Sequence, residues 1–319
     1  MEVTDQQRRL LELCAIRVEK ESVDWSLIAR LAQDPGGLDD LHQAVITEKS
    51  AAAARSRPVL REGLRHLPVL ADRVSAELEA ASGVGARLVT VLDQDYPANL
   101  RLIPNLPPFL FCQGELSNDD ARSVAVVGTR EASDAGIRRA ASMSRQLAEQ
   151  GVTVVSGLAM GIDTAAHRAA LEAGARTIAV LGSGITRCYP SANRGLADAI
   201  TASGVVVSQF WPTSHPSRYT FPRRNVVTSG ISQGTIVIEA TSRSGAKMQA
   251  RIALDHGKKV FLIRSLVASE PWARDYVENR GAIEVTGAGE VSSRLAAHEH
   301  VRRTIGQQRQ LALSIPTGR

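Results

Sequence analysis

The sequence predicts an α/β fold: a doubly wound, mostly parallel sheet preceded by a small helical domain. Three observations support this prediction. Up to about residue 80, apolar residues recur at spacings of three and four, as they do on an amphipathic helix. From residue 123 onward, short β-branched segments alternate with helical ones, which is typical of a parallel sheet covered on both faces. With 319 residues, the chain is long enough for both parts.

Composition narrows the class of protein. Hydrophobic residues make up 44% and charged residues 22%, so a packed core is expected, and the net charge of +5 weakly favours an acidic partner such as nucleic acid. The three cysteines lie far apart and lack CxxC spacing, so neither a disulfide framework nor a zinc site is expected. No apolar segment approaches the ~18 residues of a membrane span, and no signal peptide is recognisable. We therefore expect a soluble, cytoplasmic protein without membrane contact, metal or cofactor.

The chain divides into three predicted parts. Residues 1–87 form a helical N-terminal accessory domain, in which "DPGG" at residues 34–37 makes a turn between short helices. Residues 88–290 form the sheet domain. Its first stretch is rich in proline, with short apolar runs at residues 88–92 and 109–112, and we interpret it as an entry strand and an ordered linker. Residues 291–319 form a short basic tail.

Seven later segments are the predicted strands of the parallel sheet. They are VAVVG, VTVVS, TIAVLG, VVVSQ, TIVIEA, KKVFLI and AIEV. In such sheets, ligands bind outside the carboxyl ends of the strands, near the point where the strand order reverses. The loops that follow these strands are therefore where we expect the chemistry.

The first of these loops is "VVGTREASDAG". It lacks the G-x-G-x-x-G pattern, which argues against NAD or FAD. It offers backbone amides at a helix start, capped by Ser133 or Asp134, with Arg130 beside them, and this combination suits a phosphate. In the alternative, Gly128 only makes the turn and Arg130 pairs with a surface acid. The loop alone does not decide between the two.

The second loop is "VVSGLAMGIDTAAH". Gly157 and Gly161 permit close backbone approach or a positive φ. Asp163 and His167 share a helix face and are either an acid–base pair or a capping carboxylate with a packed imidazole; we favour packing. There is no G-x-S-x-G motif, so Ser156 is a poor nucleophile.

The third loop is "VLGSGITRCYPSANRGL". It has paired glycines but not the Walker pattern G-x-x-x-x-G-K-[ST], so it gives no support for ATP hydrolysis. Tyr189 is equally a wall of the fold or a ligand contact.

A basic stretch follows. Between residues 215 and 264 there are nine lysines and arginines against two acids. They concentrate in "RYTFPRRN" and "TSRSGAK", which we interpret as strand-end loops. Arginines bind phosphate oxygens, and an exposed Phe or Tyr stacks an unpaired base at ~1–3 kcal/mol. We favour this role for Arg223 and Arg224, and simple solvation for Lys258 and Lys259.

An ordered set of motifs resembles the DprA/Smf (DNA-processing protein A) family. The set comprises YPANLRLIPNLPPFLFCQG, VAVVGTR, VVSGLAMGIDTAAHRAAL, GARTIAVLGSGITRCYPSAN, GVVVSQ, FPRRN and IEATSRSG. The similarity extends from about residue 88 to 250, and more weakly to 285. It implies a Rossmann-like domain that binds single-stranded DNA without catalysis, forms a homodimer and helps to load a RecA-type recombinase in natural transformation.

The resemblance also implies a DNA site. Arg130, the loop at residues 156–163, Phe221 and Arg224 match the family's motifs. Together with neighbouring residues they give a predicted DNA-binding set and no catalytic residue. The set is Gly128, Thr129, Arg130, Ser156, Gly157, Gly161, Arg218, Phe221, Arg223, Arg224, Asn225 and Lys247.

Several positions depart from the family pattern. Val226 stands where the family usually has an arginine, which predicts weaker phosphate binding, and Gln209 replaces a common glutamate. Lys247 adds a charge to which the anion contact could shift. "RSLVASEPWARDYVENRGA" replaces the family's Pro-Gly loop, and no winged-helix module is recognisable after the sheet domain.

Two other functions remain open from sequence. One is a nucleotide-derivative sensor or phosphoribohydrolase of the related LOG-like Rossmann group. Those enzymes carry P-G-G-x-G-T-x-x-E, whereas Glu239 here lies in or just after a strand without that motif. The other is a protein-interaction scaffold built on the N-terminal helices.

Overall fold

The computed structural model describes residues 2–297, so most of the predicted basic tail at 291–319 lies outside the described residues. The N-terminal part is helical, with one short antiparallel pair of strands. Its elements are α1 (Asp5–Ala15), β1 (Arg17–Val18), β2 (Glu21–Ser22), α2 (Trp25–Leu31), α3 (Gly37–His42), α4 (Ala51–Gly63) and α5 (Leu67–Gly83). Side-chain caps fix three of these helix starts, since Thr4, Asp24 and Ser50 each accept a hydrogen bond from a first-turn amide.

Nine further strands form a single sheet. They are β3 (Arg87–Thr90), β4 (Phe109–Gly114), β5 (Ser123–Val127), β6 (Thr153–Ser156), β7 (Thr177–Val180), β8 (Val205–Ser208), β9 (Gly234–Val237), β10 (Lys259–Ile263) and β11 (Ile283–Val285). Their order is β11-β10-β9-β5-β6-β7-β8-β4-β3. Only β4 runs antiparallel to its neighbours, so the predicted Rossmann-like, mostly parallel sheet is confirmed, with all seven later strands in place.

The remaining helices connect these strands. They are α6 (Asp134–Glu149), α7 (Ile162–Glu172), α8 (Arg194–Ser203), α9 (Thr220–Ile231), α10 (Gly245–Asp255), α11 (Arg264–Ser269), α12 (Pro271–Asn279) and α13 (Ala288–Ser292). One prediction is wrong: most of "RYTFPRRN" is not a loop but the start of α9. The chain winds from β5 outward to β8 and then returns through α9 to β9, on the other side of β5. Because parallel crossovers are right-handed, this reversal puts α6–α8 and α9–α10 on opposite faces.

Two hydrophobic clusters stabilise the structure. One joins β5, β9 and β10 to α6, α7 and α10. The other joins the N-terminal helices to β3, β4, β7, β8 and α9, so the helical part packs directly on one end of the sheet. The predicted domain division at residue 87/88 stays a prediction, since this core is continuous across it.

From composition we expected neither a disulfide framework nor a membrane-spanning segment. The three cysteines are free thiols, and Cys14 and Cys112 are buried. Among residues 2–297, no helix combines the length and apolar character needed to cross a membrane.

Candidate nucleic-acid interface

A cavity of about 320 Å³ opens where the strand order reverses, between the carboxyl ends of β5 and β9. We call it the switch-point cavity. Residues 127–131 after β5 form one wall, and residues 241–249, which lead into α10, form another. The first turns of α9 close its inner side. This is the position at which open α/β sheets bind ligands.

Positive charge dominates the rim of the switch-point cavity. Arg130 and Arg243 are both exposed there, and neither forms an ion pair with any residue between 2 and 297. Helix α10 begins at the cavity, with Ser244 as its N-cap accepting a hydrogen bond from the Ala246 amide at 3.1 Å. A helix N-terminus carries about half a positive charge and unpaired amides, so with two arginines it suits an anion.

The N-terminus of α6, which is a phosphate site in one of the two interpretations of the first loop, is already closed. The Ser133 amide and hydroxyl donate to the Glu239 carboxylate at 3.2 and 2.8 Å. The carboxylate also lies against Gly136, where an added Cβ would fall 2.0 Å from its Oε2 atom. Ser133 does cap α6, accepting from the Gly136 amide. The phosphate prediction is therefore wrong for this helix, because a resident carboxylate fills the place of the anion.

Arg130 lies on the ring of Phe221, with the guanidinium carbon 5.0 Å from the ring centroid. The other neighbours of this ring are Gly182, where an added Cβ would fall 2.7 Å from it, and Tyr189, 5.9 Å away between centroids. Phe221 is thus half-buried in the cavity lining and supports Arg130, and its role in stacking a base stays a prediction. The exposed flat groups are the Arg130 guanidinium and Tyr189, which is 46% exposed.

Arg224 is buried, with 9% of its surface exposed, and its guanidinium bonds to the protein itself. Nη1 donates to the carbonyls of Gly157 and Val180 at 2.6 and 3.1 Å, and Nε donates to Asn225 Oδ1 at 3.1 Å. Arg224 lines the cavity, and its hydrogen bonds connect α9 to the ends of β6 and β7. Burial lowers its pKa while nearby Asp163 raises it. These bonds hold the cavity in shape, and the role of Arg224 as a phosphate ligand stays a prediction.

Asp163 and His167 pack as favoured from the sequence. The Asp163 carboxylate accepts hydrogen bonds from the amides of Gly157 and Ala159 at 3.1 and 3.3 Å, and burial raises its pKa. His167 is fully buried, with Nδ1 2.7 Å from the Thr177 hydroxyl, and burial lowers its pKa to about 3. The two residues shape the loop after β6 and do not form an acid–base pair.

Four other predicted site residues lie elsewhere. Ser156 is fully buried and donates to the Val126 carbonyl, so it does not reach the cavity. Arg218 is exposed and stacks on Tyr219, and Lys247 points toward Trp272, 5.8 Å from its ring centroid. Arg223 faces the N-terminal helices. None of these four side chains lines the switch-point cavity. The assignment of the buried Ser156 is corrected, whereas the roles of Arg218, Arg223 and Lys247 in DNA binding stay predictions.

The remaining predicted residues are at or beside the cavity. Gly128, Thr129, Gly157 and Asn225 line it, and the Thr129 amide donates to the Glu239 carbonyl at 2.7 Å. The glycine at the head of α7, Gly161, has φ +77° and passes so close to the Thr129 and Arg130 carbonyls that a Cβ would fall 2.5 Å from each. Their roles in DNA binding stay predictions.

Sequence reasoning missed Arg243 and the N-terminus of α10. The signal was present in "TSRSGAK", where a serine–glycine pair precedes a helical pattern, as at an N-cap. Val226, expected to weaken the anion site, does not line the cavity; it is half-buried and packs against the core under the N-terminal helices.

Comparison with known proteins connects this geometry to a family. A sequence profile described as DNA recombination-mediator protein A matches residues 87–295, which include the whole nine-stranded sheet. The chain belongs to the DNA recombination-mediator protein A family. The resemblance drawn from the sequence motifs is thereby confirmed.

Relatives in this family come from diverse bacteria. DNA processing protein DprA of Streptococcus pneumoniae is 41% identical over 174 residues, covering 54% of this chain and 61% of the relative. Protein Smf of Escherichia coli is 36% identical over 239 residues, covering 74% and 64%. Protein Smf of Synechocystis is 37% identical over 216 residues, covering 66% and 52%. The matched region thus spans about half to two thirds of these relatives' own length.

Solved structures agree with the recombination-mediator fold. DNA processing protein A from S. pneumoniae superposes with a TM-score of 0.74 at 30% identity, over 93% of this chain and all of that one. DNA processing protein A from Helicobacter pylori, solved to explain its single-stranded DNA binding mode, has a TM-score of 0.58 at 23% identity over 65% of this chain and 94% of that one. The second likeness supports the fold alone.

Proposed function

We propose that this chain is a non-catalytic single-stranded DNA-binding protein that acts as a recombination mediator. The switch-point cavity carries the proposal. It combines the open N-terminus of α10 with Arg130 and Arg243, two arginines that form no ion pair within residues 2–297, in the crevice where this fold class binds ligands. The family to which the chain belongs supports the same role.

The site suits a phosphodiester chain whose bases are unpaired. Phosphates would contact the α10 amides and Arg243, while a base would stack on the Arg130 guanidinium, which Phe221 supports from behind. Tyr189 and Tyr219, 46% and 66% exposed, offer further stacking surfaces beside the cavity. A duplex hides its ring faces, so we expect selectivity for single strands.

No observed group favours the phosphoribohydrolase alternative. Its catalytic carboxylate would have to face the ligand, whereas the Glu239 carboxylate bonds to the start of α6 and does not line the switch-point cavity. We therefore propose that binding, not base release, is the activity.

Anisotropy titration of labelled oligo-dT at several salt concentrations tests the proposal. Each of Arg130→Ala and Arg243→Ala should weaken binding by about 1–2 kcal/mol, or about 5- to 30-fold, and Arg243→Ala, which removes a phosphate contact, should lower the salt slope by about one. Lys259→Ala is the matched control. Lys259 is the first residue of β10 and so lies at the amino ends of the strands, whereas the cavity lies at their carboxyl ends. It should bind like the unmodified protein.

Competing outcomes are distinguishable in the same assay. Tight binding of a mononucleotide, with no detectable binding of oligo-dT at low salt, would replace the proposal with the nucleotide sensor. Equal affinity for duplex and single strand would remove the stacking argument. Equal weakening by Lys259→Ala and the rim variants would mean non-specific charge attraction.

We also propose, from the family resemblance, that the protein is a homodimer and delivers the bound strand to a RecA-type recombinase in the cytoplasm. Sedimentation tests the first point. The second is tested by adding the protein to a recombinase and strand coated with single-strand binding protein; filament formation should accelerate, and the Arg130/Arg243 double variant should lose this effect.

A further inference from the structure

A second cavity, of about 580 Å³, lies where the N-terminal helices meet the sheet domain. We call it the junction cavity. Arg17, Trp25 and Arg73 line it from the helical side. Trp211, which follows β8, and Arg223, in the first turn of α9, line it from the other. Because both parts of the chain build it, the cavity exists only when they are packed together.

The junction cavity carries uncompensated positive charge. Among residues 2–297, none of Arg17, Arg73 and Arg223 has a carboxylate partner. Of the described part of the chain, the one acidic residue in the lining is Asp24, and its carboxylate is used as the N-cap of α2, accepting from the Leu27 amide at 3.0 Å. Three cations therefore converge on one concave surface, an arrangement that attracts an anion.

Tryptophan rings hold two of these arginines in position. The Arg223 guanidinium carbon lies 5.0 Å from the Trp25 ring centroid, and that of Arg73 lies 5.6 Å from the Trp211 ring. The two rings meet edge to face, 6.3 Å between centroids. Arg73 also donates from Nη1 to the Ala15 carbonyl at 3.5 Å. A guanidinium on an aromatic face keeps its remaining N–H groups available for contact with phosphate oxygens. The rings are occupied by guanidinium groups, so the site suits phosphates rather than bases.

The two cavities lie on either side of the first turn of α9. Arg224 and Phe221 face the switch-point cavity, whereas Arg223 faces the junction cavity, because successive helix residues point about 100° apart. Between them, Arg218 lies on the ring of Tyr219, 4.7 Å from its centroid, and the tyrosine is 66% exposed. One helix is ~10–12 Å across, a span that a few nucleotides cover at ~3.4 Å each.

We propose that the junction cavity is a second binding site for the phosphodiester backbone of the same DNA strand, which leaves the switch-point cavity over Tyr219. This inference rests on the proposed function. It assigns the N-terminal helices a direct part in holding the strand, through Arg17 and Arg73.

A length series of oligo-dT tests the proposal. An oligonucleotide of about 6 nucleotides is short enough to occupy the switch-point cavity alone, and one of about 30 nucleotides reaches both. The triple variant Arg17→Ala, Arg73→Ala, Arg223→Ala should bind the short strand normally but the long strand at least ~10-fold more weakly, with a salt slope lower by about two. Lysine at the same three positions keeps the charge but not the planar fork, so it should restore part of the affinity.

Tryptophan fluorescence gives a direct readout. Two of the chain's three tryptophans line the junction cavity, and the third, Trp272, is buried elsewhere with its indole N–H on the Ala240 carbonyl. In Trp272→Phe, emission therefore reports on the junction cavity alone. The long strand should change this emission at the concentrations at which it binds, and the short strand should not.

The possible failures differ from one another. Loss of all strand binding by Arg130→Ala with Arg243→Ala, but normal binding of the long strand by the junction triple variant, would overturn this inference and leave the proposed function intact. No strand binding by the unmodified protein would remove both. An emission change with inorganic phosphate or an acidic peptide, and none with the long strand, would mean a different ligand and would overturn the inference. Loss of the short strand in the triple variant would equally overturn it, because the sites would not be separate.

Discussion

Two helices, α6 and α10, begin on either side of the point where the strand order reverses, yet only one is open to a ligand. The N-terminus of α6 is covered by the Glu239 carboxylate, which accepts hydrogen bonds from Ser133. The N-terminus of α10 is capped by its own Ser244 and borders the switch-point cavity. A helix N-terminus thus becomes an anion site only where the protein has not supplied its own anion.

The same contrast separates two kinds of arginine. Arg224 is buried and bonded to carbonyl groups, so it holds the cavity in shape, whereas Arg130 and Arg243 are exposed and unpaired within residues 2–297. Variants at these positions should therefore divide into those that cost stability and those that cost affinity.

The largest effect is expected for Arg224→Met. This change leaves the buried Asp163 carboxylate without its nearby cation and removes the hydrogen bonds to Gly157 and Val180. The free energy of unfolding should fall by about 3–5 kcal/mol, measured by urea denaturation. Arg223→Met, next to it but exposed, is the control and should cost less than about 1 kcal/mol. A stable Arg224→Met protein that has lost DNA binding would instead make Arg224 a ligand.

The second prediction makes α10 resemble α6. Ser244→Asp keeps a good N-cap but puts a carboxylate where the DNA phosphate is expected. Affinity for oligo-dT should fall by about 1–2 kcal/mol, or about 5- to 30-fold at low salt, while the unfolding free energy is kept. Ser244→Asn, a neutral residue of the same shape, should bind normally. Equal affinity of the two variants would show that the phosphate does not approach α10.

From the sequence we predicted that the site lies at the carboxyl ends of the strands, but we identified only some of its residues. The strands and the switch point followed from apolar β-branched segments, which are local. We interpreted "FPRR" as a loop and therefore expected Arg223 and Arg224 to lie in the same site. Because the segment is a helical turn, the two side chains line different cavities. Glu239 closes α6 from 106 residues away in sequence, and no local pattern predicts such a contact.

The third prediction concerns α7, the helix that follows β6 and carries Asp163 in its first turn. His167 on this helix has its pKa lowered to about 3 by burial, against about 6.5 in the unfolded chain. Above about pH 6.5 it is neutral in both states; below that, only the unfolded chain binds the proton, so stability falls as the pH falls toward 3. The loss should be about 1 kcal/mol between about pH 6.5 and 5.5, and about 1.4 kcal/mol for each further pH unit toward pH 4.

Urea denaturation of His167→Asn measures this contribution. Asparagine keeps a donor toward Thr177 without a titrating ring, so its stability should depend less on pH than that of the unmodified protein. His256, whose pKa is lowered to about 4, remains in both proteins and cancels in the difference. Identical pH slopes would mean that His167 is protonated in the folded state or does not titrate on unfolding.

The smallest effect is expected for Glu239→Gln, which removes the charge at α6 but can keep an oxygen toward the Ser133 hydroxyl. The unfolding free energy should fall by less than about 1 kcal/mol, and DNA affinity should stay equal or rise slightly, since the lost charge is near the cavity but not in its lining. Glu131→Gln is the matched variant, because Glu131 does line the cavity and its removal should raise affinity more. If Glu239→Gln lowers affinity while Glu131→Gln does not, the Glu239 carboxylate contacts the ligand. The N-termini of α6 and α10 would then both be ligand sites, and they would differ in the chemical group that each one binds.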